Sequence, residues 1–225
     1  MTNRKSTLKY RLAIFDLDGT ILDTLADLTA SVNYALERFG YPTRTAAEVR
    51  RFLGNGSVVL MTKSLPAGTS ETDRNKVLDF YNDYYQAHCN LETRPYEGIP
   101  ELFSKLRSAD CKIAVVSNKP DSAVQVLCRE HFCDSLDAAT GQRSDVRKKP
   151  APDAINDILN KLSIDRKDSV YVGDSEVDIA TAGNAAMDCI SVEWGFRDRD
   201  FLMESGATVV ASDVAELAQM LGIMI

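Results

Sequence analysis

The chain has 225 residues, 44% of them hydrophobic, and a formal net charge of −7. That is enough apolar material for one core with or without a smaller insert, which excludes a disordered chain, and the acidic balance argues against a nucleic acid or an anionic membrane as partner. Five scattered cysteines form no disulfide framework, no run approaches the about 20 apolar residues of a membrane span, and the basic N-terminus MTNRKSTLKYRL lacks the apolar stretch of a signal peptide. A cytoplasmic protein is expected.

In chain order, Leu12 to Phe15 read as a buried parallel strand that runs directly into Asp16, Asp18, Gly19 and Thr20. Ligands of open α/β sheets gather at the carboxyl ends of such strands. Residues i and i+2 of an extended segment face the same way, so both carboxylates could address one ligand, and two adjacent negative charges then need a hard cation such as Mg2+. From about 22 to 94 no strand is expected. Helical patterns follow one another there: Leu25, Leu28, Val32, Leu36 and Phe39; Val58 to Leu65; then Val77, Phe80, Tyr81 and Tyr84. Turn signals at Gly40-Tyr41-Pro42, Gly54-Asn55-Gly56 and Pro66-Ala67-Gly68 separate them. Residues 22–94 are too many for one crossover and are expected to form an inserted helical cap, with the core made of 1–21 and 95–225. Phe80, Tyr81, Tyr84 and Tyr85 are read as packing residues, and the cap as a lid able to exclude water from the strand ends.

Beyond the insert, apolar runs at Lys112 to Val116, Leu136 to Ala139, Ser169 to Val172, Cys189 to Val192 and Thr208 to Val210 alternate with helical patterns. The helical patterns are Ala123, Val126 and Leu127; Ala154, Ile155, Ile158, Leu159 and Leu162; and Ile179, Ala182, Ala185 and Ala186. The alternation predicts an α/β fold, a doubly wound parallel sheet with a Rossmann-like core. Cys128, His131 and Cys133 at the end of a predicted helix lack a fourth ligand and are not read as a metal site.

Three further segments reach the face on which Asp16 lies. Val116-Ser117-Asn118 offers a hydroxyl and backbone N–H groups close to a helix start, a phosphate-binding arrangement. Lys148-Lys149-Pro150-Ala151-Pro152-Asp153 sets an ammonium on a stiff turn. Gly173-Asp174-Ser175-Glu176-Val177-Asp178 adds carboxylates after the fourth strand. Singly, these are a helix cap, solvated lysines and an acidic first turn favoured by the helix dipole. Together, each at a strand end, they specify a site.

The ordered set DLDGT, VVSN, KKPAPD and GDSEVD resembles the four motifs of the haloacid dehalogenase-like hydrolases, in their phosphatase branch with a helical cap. LDTLADL, the GNG of Gly54 to Gly56, VVSNKP and GDSEVDIATA are most similar to phosphoglycolate phosphatases. The resemblance implies an in-line attack by Asp16 that forms an aspartyl-phosphate, with Asp18 as general acid and then base. It implies Mg2+ held by the carboxylates of Asp16 and Asp174 and the main-chain carbonyl of Asp18, instead of by both side chains. Ser117, Asn118 and Lys149 would bind the phosphoryl group, Lys149 being preferred to Lys148 because it directly precedes the proline; Asp178 would orient the metal shell or Lys149; and Gly19, Thr20 and Gly173 would support the loops. Arg50, Arg51, Asn55, Lys63 and Lys119 are candidates for the non-phosphate end of a small phosphorylated metabolite. Alternative activities are hydrolysis of sugar phosphates or pyrophosphate, or phosphoglucomutase chemistry. The second Asp of DxD argues against carbon–halogen cleavage, the helical insert against a phosphoaspartate signalling switch, and the complete motif set against a silent interaction protein. A monomer or homodimer is expected.

Overall fold

The computed structural model describes residues 8–223. The basic N-terminal segment up to residue 7, and with it the ends of the expected core range, lies outside the described residues. Six parallel strands form the sheet in the order β5-β4-β1-β6-β7-β8: β1 (Leu12–Phe15), β4 (Lys112–Pro120), β5 (Ala138–Gln142), β6 (Ser169–Gly173), β7 (Asp188–Val192) and β8 (Val210–Ala211). In core strands alone this is the Rossmann order, with the direction of winding reversing beside β1. Helices α5 (Ile99–Ser108), α6 (Asp121–Phe132), α7 (Asp153–Leu162), α8 (Glu176–Asn184), α9 (Arg199–Glu204) and α10 (Val214–Met220) complete the layers. Because both faces are covered, β1 and β6 are wholly buried and read as apolar runs instead of alternating patterns. Phe15 aligns with Val115 on one side and Val172 on the other, so β1 ends between β4 and β6.

The insert holds α1 (Leu25–Arg38), α2 (Ala46–Phe52), α3 (Ser57–Ser64) and α4 (Glu71–His88). Contrary to the expectation of no strand there, Leu22–Asp23 (β2) and Arg94–Pro95 (β3) pair as a short antiparallel ribbon, Leu22 opposite Pro95 and Asp23 opposite Arg94. The two chain crossings between insert and core are thereby tied together. We propose this ribbon as the boundary between the two. The α2 helix was not expected, although its Thr45–Glu48 capping box is a sequence signal for a helix start.

Other boundaries shift for physical reasons. The β4 strand continues past Val116 through Ser117, Asn118 and Lys119, with a register shift that lets Pro120 meet Gln142. The β5 strand therefore lies later than Leu136 to Ala139, and β8 is a two-residue strand at Val210 and Ala211. The α8 helix stops at Asn184; Ala185 caps it and Ala186 turns left-handed with φ +50°. Among the described residues no helix is long and apolar enough to cross a membrane.

Asp27 closes the insert on itself beside the ribbon. This buried carboxylate on α1 accepts from the backbone N–H groups of Leu91, Glu92 and Thr93 at 2.9 to 3.0 Å and from the Thr93 hydroxyl at 2.8 Å, fixing the return segment between α4 and β3. Replacing it by Ala leaves these donors unpaired in the interior. Asp27→Ala is expected to lower unfolding stability by about 2–4 kcal/mol, read from urea denaturation at constant m-value.

Candidate active site

The ends of β1 and β6 set the site. Asp16 leaves β1 with its N–H donating to the Val172 carbonyl at 2.9 Å, and Asp174 follows β6 directly. Between them lies Lys149, only 3% exposed, on the loop before α7. Its ammonium stands 2.9 Å from Asp16 Oδ1, 2.7 Å from Asp178 Oδ1 and 3.0 Å from the Tyr171 hydroxyl. The Tyr171 oxygen is also 3.1 Å from Asp178 Oδ1. Asp178 is held from its other side by the N–H and hydroxyl of Ser175, the capping box that starts α8. Asp174 accepts from Thr20 Oγ1 at 3.2 Å and from the Phe196 N–H at 2.6 Å.

Two glycines make this packing possible. Gly19 has φ +83°, and a Cβ there would strike the Asp174 carboxylate. At Gly173 a Cβ would collide with the side chain of Asp178.

Crowded, dry carboxylates resist ionisation. Burial, opposed by Lys149 and reinforced by Asp178 and Asp18, lifts Asp16 from the ordinary 3.8 to about 7. Burial, then Asp178 and Asp16, likewise hold Asp174 well above the usual carboxylate range. For Lys149, burial works against the charge, but Asp16 and Asp178 outweigh it and raise the ammonium above its ordinary value.

Asp16, Asp174 and Asp178 each bring a carboxylate oxygen within 4.8 Å of the others. This is the hard, oxygen-only donor set that suits Mg2+, and the buried Asp16 Oδ1 has the Lys149 ammonium 2.9 Å away. Asp178 already has partners on both oxygens, which suits it to holding Lys149. Asp18 does not join the group. Its carboxylate pairs instead with Lys119 Nζ at 2.6 Å, so side-chain alternation alone misplaces it.

Asp16, Asp18, Ser117, Asn118, Lys119 and Asp174 line one end of a cavity of about 350 Å3 between core and insert. Lys149 and Asp178 are packed against Asp16 and do not line it. From the insert, Leu28, Leu53, Leu60 and the α4 residues Tyr81, Asn82, Asp83, Tyr85 and Gln86 line it. The aromatic cluster thus divides. Phe80 and Tyr84 stack on Tyr34 of α1, whereas Tyr81 and Tyr85 face the cavity.

The other substrate candidates lie elsewhere. Arg50 donates to the carbonyls of Gly195 and Phe196, which makes it a strut between insert and core. Arg51 and Lys63 are exposed, and Asn55 presents its carbonyl to Lys148 at 3.2 Å; none of the four lines the cavity. His131, near Cys128 and Cys133 in sequence, contacts Asn90 at 2.6 Å. Sequence reasoning missed Tyr171, Phe196 and Arg197. Arg197 pairs with Glu176 at 2.9 Å and donates to the carbonyls of Arg50 and Leu53. Only Tyr171 carried a signal, a phenol in a buried strand that must find a partner; the other two act through backbone or tertiary contacts that leave no local pattern.

The chain belongs to the haloacid dehalogenase-like hydrolases, whose family profile, described as "Haloacid dehalogenase-like hydrolase", matches residues 13–192. Within that family it is a phosphoric monoester hydrolase similar to phosphoglycolate phosphatases. The phosphoglycolate phosphatase of Vibrio parahaemolyticus is 30% identical over 95% of this chain and 96% of its own length, and that of Agrobacterium fabrum is 33% identical over 92% and 90%. A crystal structure from Lactobacillus delbrueckii subsp. bulgaricus, assigned as a phosphoglycolate phosphatase, superposes with a TM-score of 0.91 at 42% identity, covering 95% of this chain and 98% of that one.

The raised carboxylates set the pH response of the metal-free protein. An acid whose folded value lies above its unfolded one stabilises the fold while protonated and loses that contribution as pH rises. In EDTA, the melting temperature should therefore fall between about pH 4 and about 7. Asp16→Asn should flatten the fall; His131, lowered by burial and acting in the opposite sense, is common to both proteins. An equal fall in both would assign the effect elsewhere.

Proposed function

We propose that this chain is a Mg2+-dependent phosphomonoester hydrolase of the phosphoglycolate phosphatase type, working through an aspartyl-phosphate on Asp16. The observation that carries the reading is the meeting of Asp16, Asp18, Ser117, Asn118 and Asp174 on one cavity, with Lys149 2.9 Å from Asp16. Mg2+, when held by Asp16 and Asp174, would supply charge for the phosphoryl oxygens. Lys149 orients Asp16 and offsets its charge, so that the free oxygen can approach phosphorus in line with the departing oxygen. Ser117 and Asn118 hold the nonbridging oxygens.

In the first transfer a bond forms from Asp16 to phosphorus while the bond to the leaving oxygen breaks, and Asp18 gives that oxygen its proton. In the second, Asp18 removes a proton from water as the water oxygen attacks phosphorus, which restores the Asp16 carboxylate and releases phosphate. Lys119, 2.6 Å from Asp18, fixes where that carboxylate stands. Closure of the insert excludes bulk water from the acyl phosphate.

The names of the relatives bring forward 2-phosphoglycolate as the reference substrate. A second reading, hydrolysis of sugar phosphates, is favoured by a cavity lining to which the insert contributes no cation.

Asp16→Asn should lower kcat by roughly a thousandfold or more, and EDTA should abolish phosphate release. Asp18→Asn separates the two transfers. With p-nitrophenyl phosphate, whose leaving group needs little protonation, a stoichiometric burst of p-nitrophenol should precede a steady rate lower by about 10²–10⁴-fold. Wild-type turnover by either variant would refute the assigned role.

A further inference from the structure

Arg50, in the last turn of α2, does not line the cavity and instead reaches across to the core. Its Nη2 donates to the carbonyl of Gly195, and its Nε donates to that of Phe196 at 3.1 Å. The planar guanidinium fork serves two successive carbonyls at once, which the single ammonium of a lysine does not. The core answers from the next residue. Arg197 donates to the carbonyls of Arg50 and Leu53 at 3.2 and 2.9 Å, and Glu176 of α8 holds its guanidinium at 2.9 Å. Insert and core are thus clasped in both directions at one short segment, 195–197.

The same segment holds a carboxylate of the acidic group. The Gly195 carbonyl and the Phe196 N–H belong to one planar peptide unit. Its oxygen accepts from Arg50, and its N–H donates to Asp174 Oδ2 at 2.6 Å. A charged donor on the oxygen polarises the peptide and strengthens the hydrogen bond made at its other end. The neighbouring Trp194 reaches the second oxygen of Asp174 through an intermediary: Trp194 Nε1 donates to the Thr20 carbonyl at 3.1 Å, and Thr20 Oγ1 donates to Asp174 Oδ1 at 3.2 Å. Only glycine fits at 195, where a Cβ would strike the Gly19 carbonyl and the Asp174 side chain. Asp174 is 1% exposed, and among the described residues its carboxylate accepts hydrogen bonds from Thr20 and Phe196 alone.

We propose that Arg50 is a positioning residue for Asp174 as a metal ligand, acting through the Gly195–Phe196 peptide, and that it sets the affinity of the site for Mg2+. The proposal rests on the hydrolase reading above and deepens it. Groups that orient a ligand from behind ordinarily govern metal affinity by about 10–100-fold. The coupling is reciprocal: a site that binds its ion more tightly with Arg50 seated also holds the insert more tightly with the ion bound.

The test is calorimetric titration of the whole protein with MgCl2, a readout that needs no turnover. Arg50→Met should raise the dissociation constant for Mg2+ by about tenfold or more. Arg50→Lys keeps the charge but does not serve both carbonyls; it should raise the constant by a smaller factor, and it decides the matter if Arg50→Met does not fold. Lys148→Met is the control. It removes another strut to the insert, the 3.2 Å bond to the Asn55 carbonyl, without reaching segment 195–197, and should leave the constant within about twofold of wild type. An unchanged constant in the Arg50 variants overturns the proposal. So does an equal rise in Lys148→Met, which would assign the effect to loosening of the insert at large. Either result leaves the hydrolase reading standing, whereas a wild type that binds no Mg2+ overturns that reading and this inference together.

Discussion

A buried ammonium holds the active end of this protein together. Lys149 sits among Asp16, Asp178 and the Tyr171 hydroxyl with every contact at 3.0 Å or less. Like charges gathered in a dry place do not coexist without a cation, and a buried ion pair is tolerated only when its remaining atoms are also bonded. That requirement reaches outward. Asp178 needs the Ser175 cap, the cap starts α8, and Tyr171 needs β6 buried against β1 so that its hydroxyl arrives at the lysine. Deleting the ammonium would leave three polar partners facing one another, so the site and the local fold stand or fall as one unit.

Core and insert both line the cavity. In the proposed reaction the strand ends of the core would bind the phosphate, and the insert would form the facing wall. Most struts joining the two reach main-chain carbonyls, Arg50 those of Gly195 and Phe196, Arg197 those of Arg50 and Leu53, Asn118 that of Gly54 and Lys148 that of Asn55, while Ser122 pairs with Gln86 and His131 with Asn90 through side chains. A carbonyl is present whatever side chain it belongs to. The carbonyl-directed struts therefore place little demand on the side chains of the residues that supply those carbonyls.

The same division explains what could be read in advance. Asp16, Ser117 and Asp174 were legible because each follows an apolar run that reads as a buried strand, and parallel strands deliver their carboxyl ends to one face; Lys149 was legible from the proline-stiffened turn before a helix. Helices α1, α3 and α4 were legible from their periodicity. Asp18 was not legible from side-chain alternation, since the pull of Lys119 lies a hundred residues away in sequence. The roles of the insert's basic residues were likewise hidden: a surface cation and a strut to a distant carbonyl look identical in sequence, as Arg50 demonstrates.

By itself, then, the sequence determined the α/β architecture, the order of the strand-end chemistry and the presence of a helical insert, because hydrophobic period, turn residues and short-range spacing encode them locally. Only the tertiary structure decided which cations face the cavity, which tyrosines leave the aromatic cluster to line it, and which carboxylate pairs with which lysine. Those outcomes depend on contacts between segments far apart in the chain, where burial and charge balance, not local pattern, select the partner.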